Sequence, residues 1–280
     1  MSLTPSTTVS FIGLGNMNSA VLEGLLAGGH DPESVRATVG RVLSAETKST
    51  RYGIAVTATE DHTEANREVA NAHLVVLGVK PKAIVEVCEE IAPALSPDTV
   101  VVSVAAGISI DSMASRLPAG QPIVRAMPNT PLAVQQGAVG LAASAEVTES
   151  QLEAARGLFE QAGTVVVVPE SQIDLVAGIS GSGPAYFFHL AELLAQTAVE
   201  HGMDADVAEQ LASATLAGAG RMIATQNASA AELRENITSP QGTTEAALRS
   251  FTEDDLSGVV ARGIAANIRR SEELSAEFGS

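Results

Sequence analysis

Thr8-Val9-Ser10-Phe11-Ile12 runs directly into Gly13-Leu14-Gly15-Asn16-Met17-Asn18-Ser19-Ala20. A β-branched and aromatic run, a G-x-G turn and a small-residue helical segment are the parts of a dinucleotide-binding strand–turn–helix. Gly13 allows the tight turn, and Gly15 lets the backbone approach a pyrophosphate. Asn18 and Ser19 stand at the predicted helix start, where unpaired N–H groups and the helix dipole favour an anion. Asn18 replaces the third glycine of the fingerprint. With 24 glycines in the chain, two in one turn carry little weight alone. Their place carries more: directly after the first strand and before a helix. The plainer alternative is a structural tight turn.

Similar runs recur at 34–39, 54–57, 73–79, 99–104 and 122–126. They are too continuously apolar for strands with one wet face and read as buried parallel strands. Helical segments at 19–27, 44–52, 63–71, 81–92 and 109–116 lie between them. The alternation predicts an α/β fold, a doubly wound sheet covered on both faces. Strands at 137–143 and 164–168, with a helix at 149–161, complete it. The boundary falls near 170, giving a dinucleotide-binding domain (1–170) and an all-helical domain (171–280). The second domain reads as helices at 184–201, 204–226, 229–236, 243–250 and 254–277, with no strand. Its first two helices are apolar or small at most positions, as buried helices are. A second copy, packed through a two-fold dimer, is the expected cover. Packing on the chain's own sheet domain is the alternative.

Sixteen Lys and Arg against 33 Asp and Glu give a net charge of −17 in 280 residues. That balance argues against nucleic acid or an anionic membrane as partner, but leaves room for a local basic patch. The 45% apolar and 18% charged content is that of a globular chain. One cysteine, Cys88, excludes an intrachain disulfide and a multi-cysteine metal site. His30, His62, His73, His189 and His201 show no ligand spacing, so no metal is expected. No apolar run reaches membrane-spanning length, and 1–5 lacks a signal-peptide pattern, so the expected compartment is the cytoplasm.

The second strand ends in Ala37-Thr38-Val39-Gly40-Arg41. An NAD site usually places an acid there for the ribose 2′-hydroxyl. Here an arginine can pair with a 2′-phosphate, and Thr38 offers a hydroxyl. NADPH is therefore expected over NADH. The competing role for Arg41 is a solvated helix start. Lys80, between Val79 and Pro81, ends the fourth strand, and Ser103-Val104-Ala105-Ala106-Gly107 ends the fifth. Ligands in open α/β sheets lie beyond such ends. Lys80 thus reads either as a nicotinamide-side or substrate-carboxylate residue or as a surface lysine.

The set Gly13-Leu14-Gly15-Asn16-Met17, Val79-Lys80-Pro81, Val104-Ala105-Ala106-Gly107-Ile108 and Val124-Arg125-Ala126-Met127-Pro128-Asn129-Thr130-Pro131 resembles the pyrroline-5-carboxylate reductase family. Ser180-Gly181-Ser182-Gly183-Pro184-Ala185-Tyr186 and Thr238-Ser239-Pro240-Gln241-Gly242-Thr243-Thr244 extend the resemblance over nearly the whole chain. It implies reduction of Δ1-pyrroline-5-carboxylate to L-proline with NADPH or NADH, the last step of proline synthesis. It implies a Rossmann-type domain followed by a helical dimerisation domain whose helices interleave with a partner's, and decamers of five dimers in many members. Asn16 and Met17 match the phosphate turn, and Lys80 and Pro81 the loop flanking the cofactor. Ala105, Ala106 and Gly107 match the loop near the nicotinamide. Met127, Pro128 and Asn129 match the loop over it, with the Asn129 amide near the carboxamide. Asn66 lies one residue from an adenine-side asparagine. Ser239, Gly242, Thr243 and Thr244 match the loop gripping the substrate carboxylate, and Thr244 the threonine that hydrogen-bonds the ring nitrogen.

Two departures stand out. Gln241 replaces the first glycine of S-P-G-G, and Thr252-Glu253-Asp254-Asp255-Leu256 replaces a Gly-Gly-Phe segment. If position 241 needs positive φ, Gln costs about 1 kcal/mol relative to Gly. Without the resemblance, 239–244 also reads as a loop before a capped helix, although the capping-box spacing is incomplete. His189 reads as a packed or interfacial residue, Glu170 and Asp174 as capping and positioning residues, and Cys88 as a small hydrophobe. The rival functions are a related imine or hydroxyacid reductase and a non-catalytic NADP-binding regulator. The segment 184–201 lacks the lysine that the hydroxyacid enzymes use as proton donor.

Overall fold

The computed structural model describes residues 3–278. The chain begins β1 (Val9–Ile12), α1 (Asn16–Ala27), β2 (Val35–Val39), α2 (Val42–Tyr52) and β3 (Ala55–Ala58). It continues α3 (Ala65–Val69), β4 (Leu74–Leu77), α4 (Ile84–Ile91), β5 (Val100–Ser103), α5 (Ile110–Ala114) and β6 (Ile123–Met127). Then come β7 (Gly137–Ala143), α6 (Glu149–Glu160), β8 (Gly163–Val167) and α7 (Ile173–Val176). Five helices follow: α8 (Gly183–Glu200), α9 (Ala205–Thr225), α10 (Ala230–Asn236), α11 (Thr243–Glu253) and α12 (Leu256–Phe278).

The eight strands form one sheet in the order β3-β2-β1-β4-β5-β6-β7-β8. The first six pair in parallel, with register such as Phe11↔Ala37 and Phe11↔Val76. β7 runs antiparallel to β6, and β8 parallel to β7. The continuous apolar runs have a direct cause. Leu74 and Val76 of β4 pack into one cluster with Phe11, Leu22 and Phe159, while Val75 and Leu77 pack into another with Ile84, Ile91 and Met113. Both faces of the strand are covered, and each such side chain contributes about 1.5–3 kcal/mol. Because β1, β2, β4, β5 and β6 are parallel, their carboxyl ends share one sheet edge.

Two compact units are seen. One is the chain up to Gly181 together with the chain from Asn267 onward; the other is Ser182–Ala266. The contact division falls after Gly181, because α7 and the π-turn that follows pack beside β7. In the second unit α8 packs along α9. Phe187, Phe188, Leu190, Leu193 and Leu194 of α8 remain exposed, Phe188 at 63%.

His30 is buried, with Nε2 2.9 Å from the Thr7 carbonyl oxygen. Burial holds its imidazole below the ordinary value of 6.5, against opposing pulls from the Thr7 carbonyl and Asp31. The unfolded chain therefore binds more protons than the folded one just below pH 6.5. Stability from this group is complete above that pH and is lost as the pH falls through it. His30→Gln is expected to flatten the decline of unfolding free energy between about pH 6.5 and 5, read by urea denaturation across that range.

Candidate active site

Beyond Ile12 the chain turns at Gly13, whose φ is +77°. A Cβ there would lie 2.6 Å from Val79 Cγ1 and 3.0 Å from the Val79 nitrogen, so the turn accepts glycine alone. The Gly13 N–H donates to Thr38 Oγ1 at 3.2 Å, and the Leu14 N–H to the Thr38 carbonyl at 2.8 Å. Gly15 is the N-cap of α1 and supplies no side-chain cap, and the first turn carries no acid. Gly15 and Asn16 are exposed, and a Cβ on Gly15 would meet only the Gly78 carbonyl at 3.9 Å. Uncapped helix N–H groups beside open space suit a pyrophosphate. The residues present therefore fit a dinucleotide.

Several side chains face elsewhere than their chemistry suggested. α1 begins at Asn16, three residues earlier than expected, so the first-turn donors belong to Asn16 and Met17. Asn18 is fully buried. Its Nδ2 donates to the Gly13 carbonyl at 3.1 Å, and its amide fills the space a Cβ at Gly78 would need. Ser19 Oγ accepts from Lys48 Nζ at 2.8 Å. Thr38 is also buried and spends its one hydroxyl proton on Asn66 Oδ1 at 2.7 Å, so it supports Gly13 from behind rather than offering that proton to a phosphate. Asn66 passes the chain on from Nδ2 to Glu90 Oε2 at 2.9 Å; its buried amide belongs to this support and not to an open adenine site.

Arg41, the N-cap of α2, is exposed and makes no ion pair among the described residues. The Val42 N–H beside it donates to Glu60 Oε2 at 3.3 Å. Lys80 is likewise exposed and unpaired among the described residues, and Pro81 opens a short 3₁₀ turn after it. Ala105 is buried and Ala106 exposed at the end of β5, while Gly107 takes a φ of +74°. Pro128 is buried after the partly buried Met127. Asn129 holds protein at both ends of its amide: Oδ1 accepts from the Ala138 N–H at 2.9 Å, and Nδ2 donates to the Ser180 carbonyl at 3.0 Å. It shapes its loop from within, which replaces the expectation of an amide directed at a carboxamide. Burial pushes the Cys88 thiol up to about 12, so this sulfur is an inert hydrophobe.

The second unit carries the other group. The Gly242 N–H donates to the Ser239 carbonyl at 2.9 Å, closing a turn with Pro240 second and Gln241 third. Gln241 takes a φ of +59°, the left-handed value a type II turn requires there. A Cβ on Gly242 would sit 2.9 Å from the Ser239 oxygen, which explains that glycine. α11 then starts with Thr243 and Thr244, with no side-chain cap. The capped-helix alternative is therefore not what this loop does. The Gln241 N–H instead donates to Glu245 Oε2 at 2.6 Å. The Thr243 and Thr244 hydroxyls have no partner among the described residues. The segment 252–256, the other departure, holds a left-handed residue of its own. Asp255 takes a φ of +57°, and its carboxylate accepts from the Gly258 N–H and from Arg262, both at 3.1 Å.

Comparison with known proteins bears on the whole chain. The pyrroline-5-carboxylate reductase of Pseudomonas aeruginosa is 40% identical over 97% of this chain and 98% of its own length. This chain belongs to the pyrroline-5-carboxylate reductase family. The enzyme of that name from Corynebacterium melassecola is 39% identical over 96% of the chain and 98% of its length. A family model described as pyrroline-5-carboxylate reductase dimerisation matches residues 170–274. A second, described as NADP oxidoreductase, coenzyme F420-dependent, matches residues 8–107. The pyrroline-5-carboxylate reductase structure from Coxiella burnetii superposes with a TM-score of 0.90 at 36% identity, covering 96% of this chain and 99% of that one.

The family's usual glycine at position 241 now has a physical reason, the positive φ seen there. Gln241→Gly is expected to raise unfolding free energy by about 1 kcal/mol, measured by urea denaturation at fixed protein concentration.

Proposed function

We infer that NADPH is the preferred hydride donor with which this chain reduces Δ1-pyrroline-5-carboxylate to L-proline, the last step of proline synthesis. The observation that carries the preference is Arg41, exposed and without an ion-pair partner among the described residues, at a strand end that lacks the acid of an NAD site.

Asn16 and Met17 hold the pyrophosphate through their N–H groups. Val79, Lys80 and Pro81, then Ala105, Ala106 and Gly107, then Met127, Pro128 and the loop shaped by Asn129 line the remaining strand ends. Thr38 and Asn66 act one layer behind, by fixing Gly13. When bound, NADPH supplies a hydride, and orientation is the protein's main contribution. Ser239, Gly242 and Thr243 hold the substrate carboxylate by hydroxyl and backbone N–H groups. The Thr244 hydroxyl donates to the ring nitrogen and passes on a proton from water. The imine carbon gains the hydride, the nitrogen gains the proton, and the C=N bond becomes single.

Residues 171–280 serve as the dimerisation and substrate-binding part, and residues 1–170 as the dinucleotide-binding part. Two copies interleave their helices across the exposed apolar face of α8 and the groove of about 950 Å³ between α8 and α9. Five such dimers form a decamer, and the enzyme works in the cytoplasm. The model of the dimerisation region and the uncovered phenylalanines support this assembly. No described helix is long and apolar enough to cross a membrane.

Oxidation of NADPH, and separately of NADH, with and without pyrroline-5-carboxylate tests the reading at the nicotinamide absorbance. Arg41→Ala is expected to raise KM for NADPH about tenfold while leaving NADH unchanged; an unchanged NADPH KM refutes the preference. Thr244→Ala is expected to lower kcat/KM for the imine by about 10- to 100-fold, with Thr244→Ser recovering most of it.

A further inference from the structure

Arg125 is an arginine in the middle of a buried sheet. It lies on β6 opposite Ser103, the last residue of β5, and its side chain is 6% exposed. One guanidinium nitrogen lies 3.4 Å from Glu170 Oε1, the other 3.2 Å from Asp174 Oδ1. Each carboxylate has a second bond. Glu170 Oε1 accepts the backbone N–H of Ile110 at 2.7 Å, and Asp174 Oδ1 accepts from the Ser271 hydroxyl at 2.7 Å. Ile110 is the first residue of α5, immediately after the loop that leaves β5. Inside that loop, a Cβ at Gly107 would come 3.3 Å from Leu274 Cβ, one turn beyond Ser271 on α12. The loop is thus pinned at its far end by Glu170 and walled in the middle by α12.

We propose that Arg125, Glu170 and Asp174, completed by Ser271, form a positioning network that sets the 104–109 loop against the nicotinamide half of the dinucleotide. The proposal rests on the dinucleotide reading above. A buried ion pair contributes little net stability against an apolar replacement, so its distinctive product is direction. Here the direction is given to a loop at the carboxyl end of β5, where ligands of such sheets bind. None of the four side chains needs to touch the reacting atoms. They act through the Ile110 N–H and the wall at Gly107.

The test compares Glu170→Ala, Glu170→Gln and Ser271→Ala with the unaltered enzyme. NADPH Kd is read by nicotinamide fluorescence, kcat and both KM values by NADPH oxidation, and Tm alongside. Glu170→Ala is expected to raise the NADPH Kd and lower kcat about tenfold each, with KM for the imine within about twofold. Glu170→Gln, which keeps an oxygen for the Ile110 N–H, recovers most of both. Ser271→Ala raises the NADPH Kd about threefold and carries the test if Glu170→Ala does not fold. A lowered Tm with Kd and kcat unchanged would overturn the proposal and leave the network as structural cement. Unaltered protein that binds NADPH without turning over the imine defeats the substrate reading alone, because the Kd comparison still decides the network. Absence of NADPH binding defeats both.

Discussion

The backbone N–H of Gly13 loses its strand partners where β1 ends, and the buried Thr38 hydroxyl takes it at 3.2 Å. That hydroxyl is held in turn by Asn66, and Asn66 by Glu90. Behind the same turn, Asn18 grips the Gly13 carbonyl. Both polar groups of one glycine are thereby satisfied by side chains from other elements. A left-handed turn in a sheet interior survives only under such support. The open N-terminus of α1 then follows, because Gly15 and the first helical turn take their places from Gly13.

The alternation of strand and helix was legible because a doubly covered sheet demands unbroken apolar runs, and Leu74-Val75-Val76-Leu77 supplies one on both faces at once. The glycine turn, the strand-end loops and the threonine loop were also legible, as each has a residue type its backbone requires. What could not be read was which way short polar side chains point. Asn18, Thr38, Asn66 and Asn129 all have groups a cofactor could use, yet in each case the fold turns them inward to a backbone or side-chain partner. The choice depends in part on distant groups, Asn66 for Thr38 at 28 residues, Ser180 for Asn129 at 51 and Val76 for Asn18 at 58, which local patterns do not record. Arg125 is hidden for the converse reason: in the sequence it is one residue of a motif, and Glu170 and Asp174 lie 45 and 49 residues further on with nothing local to mark them as its partners.

Two left-handed non-glycine positions, 241 and 255, show how one constraint admits different answers. Position 255 uses an aspartate, whose short carboxylate bonds the helix it precedes and so offsets the left-handed conformation. Position 241 uses a glutamine whose backbone N–H, rather than its side chain, donates to Glu245. The first position has compensation in its own side chain; the second borrows it from a neighbour.

The seating of Ser271 and Leu274 against the β5 loop also bears on how the chain is made. Residues of the sheet, its crossovers and the glycine turn are all present once the first 170 or so residues exist, and they can condense as they leave the ribosome. The wall beside Gly107 cannot, since Ser271 is made 97 residues after the Asp174 it bonds, and Leu274 later still. A growing chain therefore owns its hydrophobic core long before it owns a finished nucleotide edge. A chain that stops short of Leu274 therefore lacks the wall beside Gly107.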